Sequence, residues 1–126
     1  MCGPDGVGGG ARRQLGARQR VLFVCGRNLR RSPTAERIFA RDPRFEVRAR
    51  GVHASAARRV SERDVVWADA ILVMEREQQR ALAARFRDAL RGKRLGVLEI
   101  PDDYEAMDAE LIELLRESVP ELLGLS

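Results

Sequence analysis

The chain has 126 residues, 44% of them hydrophobic and 33% charged, with 23 Lys and Arg against 19 Asp and Glu for a formal net charge of +4. That length holds one domain with a real core and excludes two. No apolar stretch approaches the roughly 20 residues of a membrane span, and the six aromatics, set among interleaved acidic and basic residues, make a poor stacking platform, so neither membrane insertion nor specific nucleic-acid binding is expected.

Residues 1–19 are rich in Gly and Arg, lack the apolar centre of a signal peptide and read as a flexible extension; the domain is expected over 20–126. Cys2 falls in that extension and leaves Cys25 alone in the domain. Such cysteine usage suits a reducing, cytoplasmic setting.

The run VLFVC predicts a strand over 20–25. A short polar loop follows, then a helix over 33–41, with Ser32 as its N-cap and Pro33 at its first position. FEVRAR alternates apolar and polar residues and predicts a second strand over 45–50. Ser61, with Asp64 three residues on, reads as a capping box opening a short helix over 61–68, on which Trp67 is expected to enter the core. A strand over 70–74 follows. In a helix over 75–90, Leu82, Phe86 and Leu90 recur one turn apart. RLGVLEI, residues 94–100, predicts the fourth strand. Over 108–119, Leu111, Leu115 and Val119 form one stripe with Ile112 beside it, and Pro120 is expected to close the helix. Strands separated by helices imply a single-domain α/β fold: a four-stranded parallel sheet with helices on both faces.

In an open parallel sheet, ligands bind beyond the carboxyl ends of the strands. Cys25 and the pair Asp102-Asp103 both follow strand ends, so they can share one mouth. Between Cys25 and Arg31 the residues Gly26, Arg27, Asn28, Leu29 and Arg30 form a loop. Its N–H groups and those of the helix that follows can converge on a tetrahedral dianion. The same positive field favours a thiolate, the form that attacks, and the Arg31 guanidinium can grip two oxygens at once. Asn28 tolerates left-handed dihedrals and can tie the loop to itself. The arrangement reads as a phosphate cradle with a nucleophile at its base. His53, the only histidine, reads as a polar residue in the turn after strand two.

A Cys, five residues, Arg and Ser-Pro on a strand-loop-helix resembles the signature of the low-molecular-weight protein tyrosine phosphatases, and Ala35 and Glu36 continue the match. WADAILVME (67–75) is similar to that family's central strand, and IPDDYEAMDAELIELL (100–115) to its acid loop and last helix. The chain departs from the family where Arg27 stands in place of Gly and Arg30 in place of a second Cys.

The resemblance implies a cysteine-dependent phosphatase that hydrolyses phosphate monoesters through a cysteinyl-phosphate, without metal or cofactor. Cys25 is then the nucleophile, Arg31 and the loop from Gly26 to Arg30 hold the phosphoryl oxygens, and Ser32 donates its hydroxyl to the sulfur. Asp102 is the general acid, with Asp103 as the alternative because it stands where the family has Pro. Tyr104 flanks the substrate ring. Leu29, where the related protein-arginine phosphatases carry Thr, points to phosphotyrosine, so the expected partner is a phosphorylated protein or a small aryl phosphate. GVHASAARRV is shorter than the family's corresponding loop, which implies an open site with Arg58 and Arg59 near its rim. Two other readings stand beside this one: a non-catalytic phosphate- or phosphopeptide-binding module, and an arsenate reductase on the same scaffold, which would need further shuttling cysteines.

Overall fold

The computed structural model describes residues 18–125; nearly all of the expected extension, Cys2 included, lies outside them. In chain order the elements are β1 (Gln19–Cys25), α1 (Arg31–Phe39), β2 (Phe45–Gly51), α2 (Glu62–Trp67), β3 (Ala70–Val73), α3 (Arg76–Leu90), β4 (Arg94–Val97) and α4 (Ala109–Leu122). The strands pair in the order β2-β1-β3-β4. Every pairing is parallel, with Val21 opposite Val47 on one side and Ala70 on the other. The α/β architecture expected from the alternation of strands and helices is the one observed.

β1 and β3 are central and covered on both faces, which is why VLFVC and AILV are continuous apolar runs. The pleat then deals alternate residues to two layers. Val21, Phe23 and Cys25 face a core completed by Phe39 of α1 and by Leu111, Leu115 and Val119 of α4. Leu22 and Val24 face a second core with Val65 of α2 and Leu82 of α3. Phe39 ties the first layer together, stacked on Phe23 at 5.8 Å and edge-on to Phe45 at 5.9 Å. Truncating Leu111 or Leu115, both fully buried, would cost about 2–5 kcal/mol.

The main departures from the sequence expectation are three boundaries and one helix interior. α1 starts at Arg31 with Arg30 as its N-cap. Ser32-Pro33 therefore occupies the second and third helical positions. The first four N–H groups of a helix have no partner inside it, so proline costs no hydrogen bond there. β4 ends at Val97, although Leu98 and Ile100 still donate to the carbonyls of Val73 and Met74 at 2.8 and 2.9 Å; a positive φ of 58° at Glu99 interrupts the ladder. α3 breaks its helical geometry at Phe86 (φ −130°, ψ 37°), which a regular apolar stripe does not reveal. Pro120 lies within the last turn of α4, two residues before its end.

The capping box is present, with the Ser61 N–H donating to the Asp64 carboxylate at 3.0 Å. Trp67 is only half-buried, with the Arg48 guanidinium 4.2 Å from its ring centre, so it lids the second core from outside. Among the described residues no helix is long and apolar enough to cross a membrane.

Candidate active site

β1 delivers Cys25 to the carboxyl edge of the sheet, where the chain turns through residues 26–30 into α1. Cys25 is 3% exposed. The turn is closed by Asn28, whose φ of 60° is one that Asn adopts more readily than most residues. Its N–H donates to the Cys25 Sγ at 3.1 Å. The Ser32 Oγ lies 2.9 Å from the same sulfur and 2.8 Å from the Asn28 Oδ1. A hydroxyl has one proton to give. The Asn28 Oδ1 takes that proton from Ser32, so the thiol faces the hydroxyl oxygen, and the Asn28 N–H is the donor to the sulfur. Because Ser32 is not the N-cap, its hydroxyl is available for this contact.

A second segment braces the loop. Val52, His53 and Ala57 donate their N–H groups to the carbonyls of Cys25, Gly26 and Arg27 at 3.0, 2.9 and 3.0 Å. Those carbonyls are satisfied by the chain behind the loop. The approach requires glycine at 51, where an added Cβ would lie 2.6 Å from the Gly26 oxygen and 2.9 Å from the Arg27 carbonyl carbon. The short GVHASAARRV segment is thus a buttress. Arg58 is paired with Glu36 at 2.8 Å, and neither Arg58 nor Arg59 lines the cavity, contrary to the expectation that they stand at its rim.

Arg31 is 5% exposed. Its Nη1 donates to the Glu75 Oε1 at 2.8 Å and to the Ile100 carbonyl at 2.7 Å, so the guanidinium is aimed by residues just past the ends of β3 and β4. Glu75 also forms a capping box with Gln78 at the start of α3. Sequence reasoning missed Glu75, although the strand-end argument that selected Asp102 applies to it equally. The Asp102 Oδ1 lies 3.8 Å from the Arg31 Nε and 3.9 Å from the Arg30 Nη1. The loop bearing Asp102 is held behind by the Met107 N–H, which donates to the Thr34 Oγ1 at 2.9 Å.

These groups line one cavity of about 540 Å³: Cys25, Gly26, Arg27, Leu29, Arg30, Arg31 and Asp102 on the predicted side, with His53, Glu75 and Glu77 among the additions. Asn28 and Ser32 lie behind the sulfur, both buried. Asp103 and Tyr104 are not in the lining. The Tyr104 ring packs against the core on the α1 and α4 side, and its hydroxyl lies 3.3 Å from the Glu110 Oε2. The ring expected beside the substrate is spent on packing, and His53 carries the one aromatic ring in the lining. Its only sequence signal was its place in the turn after β2. Among the described residues no group of three His, Cys, Asp or Glu is placed to hold a metal ion.

No protein-family model matches this sequence, and no curated protein does. Solved structures do. The tyrosine phosphatase Wzb from Escherichia coli K30, in complex with phosphate, superposes with a TM-score of 0.68 at 23% identity, over 87% of this chain and 100% of that one. SP-PTP, a low-molecular-weight protein tyrosine phosphatase from Streptococcus pyogenes, gives 0.67 at 17% identity, over 84% and 91%. The YwlE arginine phosphatase from Geobacillus stearothermophilus gives 0.60 at 22% identity, over 84% and 88%. The chain has the low-molecular-weight phosphatase fold, and at these identities the likeness is one of fold.

Proposed function

We propose that this chain is a cysteine-dependent phosphatase that hydrolyses phosphate monoesters. One observation carries the reading: a buried sulfur receives the Asn28 N–H at 3.1 Å and faces the Ser32 hydroxyl at 2.9 Å, at the floor of a cavity that also holds a buried, doubly anchored Arg31. A donor aimed at a sulfur stabilises its anion, and the same positive surroundings favour a phosphoryl dianion above it. That Wzb, which shares the fold, was captured with phosphate supports an oxyanion as the ligand.

The chemistry takes two displacements. The Cys25 thiolate attacks phosphorus while the bond to the leaving oxygen breaks, and Asp102 gives that oxygen its proton. Arg31 and the loop amides hold the phosphoryl oxygens. Asp102, now a carboxylate, takes a proton from water as the water attacks the cysteinyl-phosphate, and the S–P bond breaks to return the thiolate.

Phosphotyrosine is the substrate class favoured by the lining. Leu29, 55% exposed, and the imidazole of His53 offer flat and apolar surface to an aromatic leaving group. Fold-sharing proteins include both tyrosine and arginine phosphatases, so the discriminating measurement is turnover of phosphorylated tyrosine, serine and arginine peptides side by side. The parent reading requires that 4-nitrophenyl phosphate be hydrolysed, that vanadate inhibit, and that Cys25→Ser and Arg31→Ala abolish turnover. A wild-type protein that binds phosphopeptide without turning it over would overturn the enzymatic reading in favour of a binding module.

A further inference from the structure

The loop carries two more cations than a phosphoryl cradle needs. Arg31 is the buried one, its Nη1 engaged by Glu75 and Ile100. Arg27 and Arg30 are exposed, yet both line the cavity. Their main chain is pinned. The Arg27 carbonyl accepts from Ala57 at 3.0 Å, and that of Arg30 from the Thr34 N–H and hydroxyl at 3.0 and 2.6 Å. Two flexible side chains thus spring from rigid points beside one mouth.

Neither cation has a counter-charge of its own close by. Among the described residues Arg27 has no ion pair or side-chain hydrogen bond, and Arg30 reaches only Asp102, at 3.9 Å. That carboxylate lies as near to Arg31. When Asp102 carries the proton it must donate, Arg30 has no counter-charge. Of the other acids in the lining, Glu75 is bound to Arg31 and Glu77 pairs with neither rim arginine. A cavity of about 540 Å³ is in the usual range for whole small ligands, so it has room for a leaving group beside these two lining arginines.

Building on the phosphatase reading, we propose that Arg27 and Arg30 form a second anion subsite at the mouth of the cavity, and that preferred substrates carry a carboxylate on the leaving group, as an acidic residue beside a phosphorylated one does. Guanidinium is suited to the task because it pairs carboxylates through two parallel donors.

The test compares two substrates of nearly equal shape, 3-carboxyphenyl phosphate and its neutral partner 3-carbamoylphenyl phosphate. Two partly exposed ion pairs predict that wild type prefers the carboxylate by about fivefold in kcat/KM at low salt, chiefly through KM. The preference should vanish in the double variant Arg27→Gln, Arg30→Gln, whatever that variant does to both substrates. A wild-type ratio near one, or a ratio unchanged in the double variant, would overturn the subsite. The same ratio, read as Kd on Cys25→Ser protein, separates the two readings. Preference without turnover in wild type sinks catalysis and keeps the subsite, whereas turnover without preference sinks the subsite alone.

Discussion

Arg31 reaches from the first turn of α1 to Glu75, 44 residues away just past the end of β3, and places its Nη1 2.8 Å from the carboxylate Oε1. The contact joins the anion cradle to the central sheet. A charge-assisted hydrogen bond of this kind contributes about 1.5–3 kcal/mol, and here it also fixes which way the guanidinium fork opens. Glu75→Gln keeps the shape and loses the charge. The expected result is a fall of roughly tenfold in kcat/KM for 4-nitrophenyl phosphate, with weaker vanadate inhibition and a melting temperature lowered by several degrees, about 4–8 °C per kcal/mol lost. Kinetics within twofold of wild type would reduce Glu75 to a helix cap.

Ser32→Ala separates the two displacements. The hydroxyl, 2.9 Å from the Cys25 sulfur, helps most when the thiolate is expelled from the cysteinyl-phosphate, since a hydrogen bond to charge is worth more than one to a neutral sulfur. Turnover should fall by about ten- to a hundredfold, with accumulation of the phosphoenzyme as a rapid burst of nitrophenol followed by slow release. Equal loss in both phases, with no burst, would assign Ser32 to the loop's architecture alone.

Asp102 and Asp103 are neighbours in sequence, but only Asp102 lines the cavity and lies 3.8 Å from Arg31. General acid catalysis typically contributes about 10²–10⁴-fold. Asp102→Asn should therefore lose at least a hundredfold on phenyl phosphate and much less on an ester with a good leaving group such as 2,4-dinitrophenol, while Asp103→Asn stays near wild type. Steady-state rates across a series of phenols check this. If Asp103→Asn alone flattened the dependence on leaving-group pKa, the two roles would be exchanged.

What was legible in the chain was local. The Cys25-to-Arg31 spacing lies within one strand-loop-helix unit, so seven residues sufficed to bring the cysteine and the arginine to one cavity. β1 and β3 announced themselves because strands buried on both faces have no polar alternation to blur them. Glu75 stood past a strand end as Asp102 does, but its pairing with Arg31 comes from the sheet order, which the sequence does not show. The start of α1 was misplaced because Pro33 fits any early helical position with a spare N–H, and only the Arg30 carbonyl accepting from Thr34 marks the first turn. Tyr104 was misplaced because a tyrosine following a strand end can serve a cavity or a core, and its ring found the α1 and α4 layer.

The face of β2 toward α2 is covered by charge where apolar packing would be usual, and this gives the fold an acid-sensitive element. Asp64, 4% exposed, accepts from Arg48 at 3.1 Å and from Arg50 at 3.2 Å, as well as from the Ser61 N–H. Burial pushes its carboxyl up, but the Ser61 N–H and hydroxyl and the two guanidinium groups outweigh it and leave the pKa below the ordinary 3.8. A carboxyl held low in the folded state binds its proton first in the unfolded one. Its stabilisation is therefore complete above the unfolded value and fades as pH falls from about 5 through the lowered folded value. Asp64→Asn should cost about 1–2 kcal/mol at pH 7, and its urea midpoint should converge on that of wild type as pH drops toward 3. A stability gap that stayed constant from pH 7 to pH 3 would mean that Asp64 acts through shape and not through its charge.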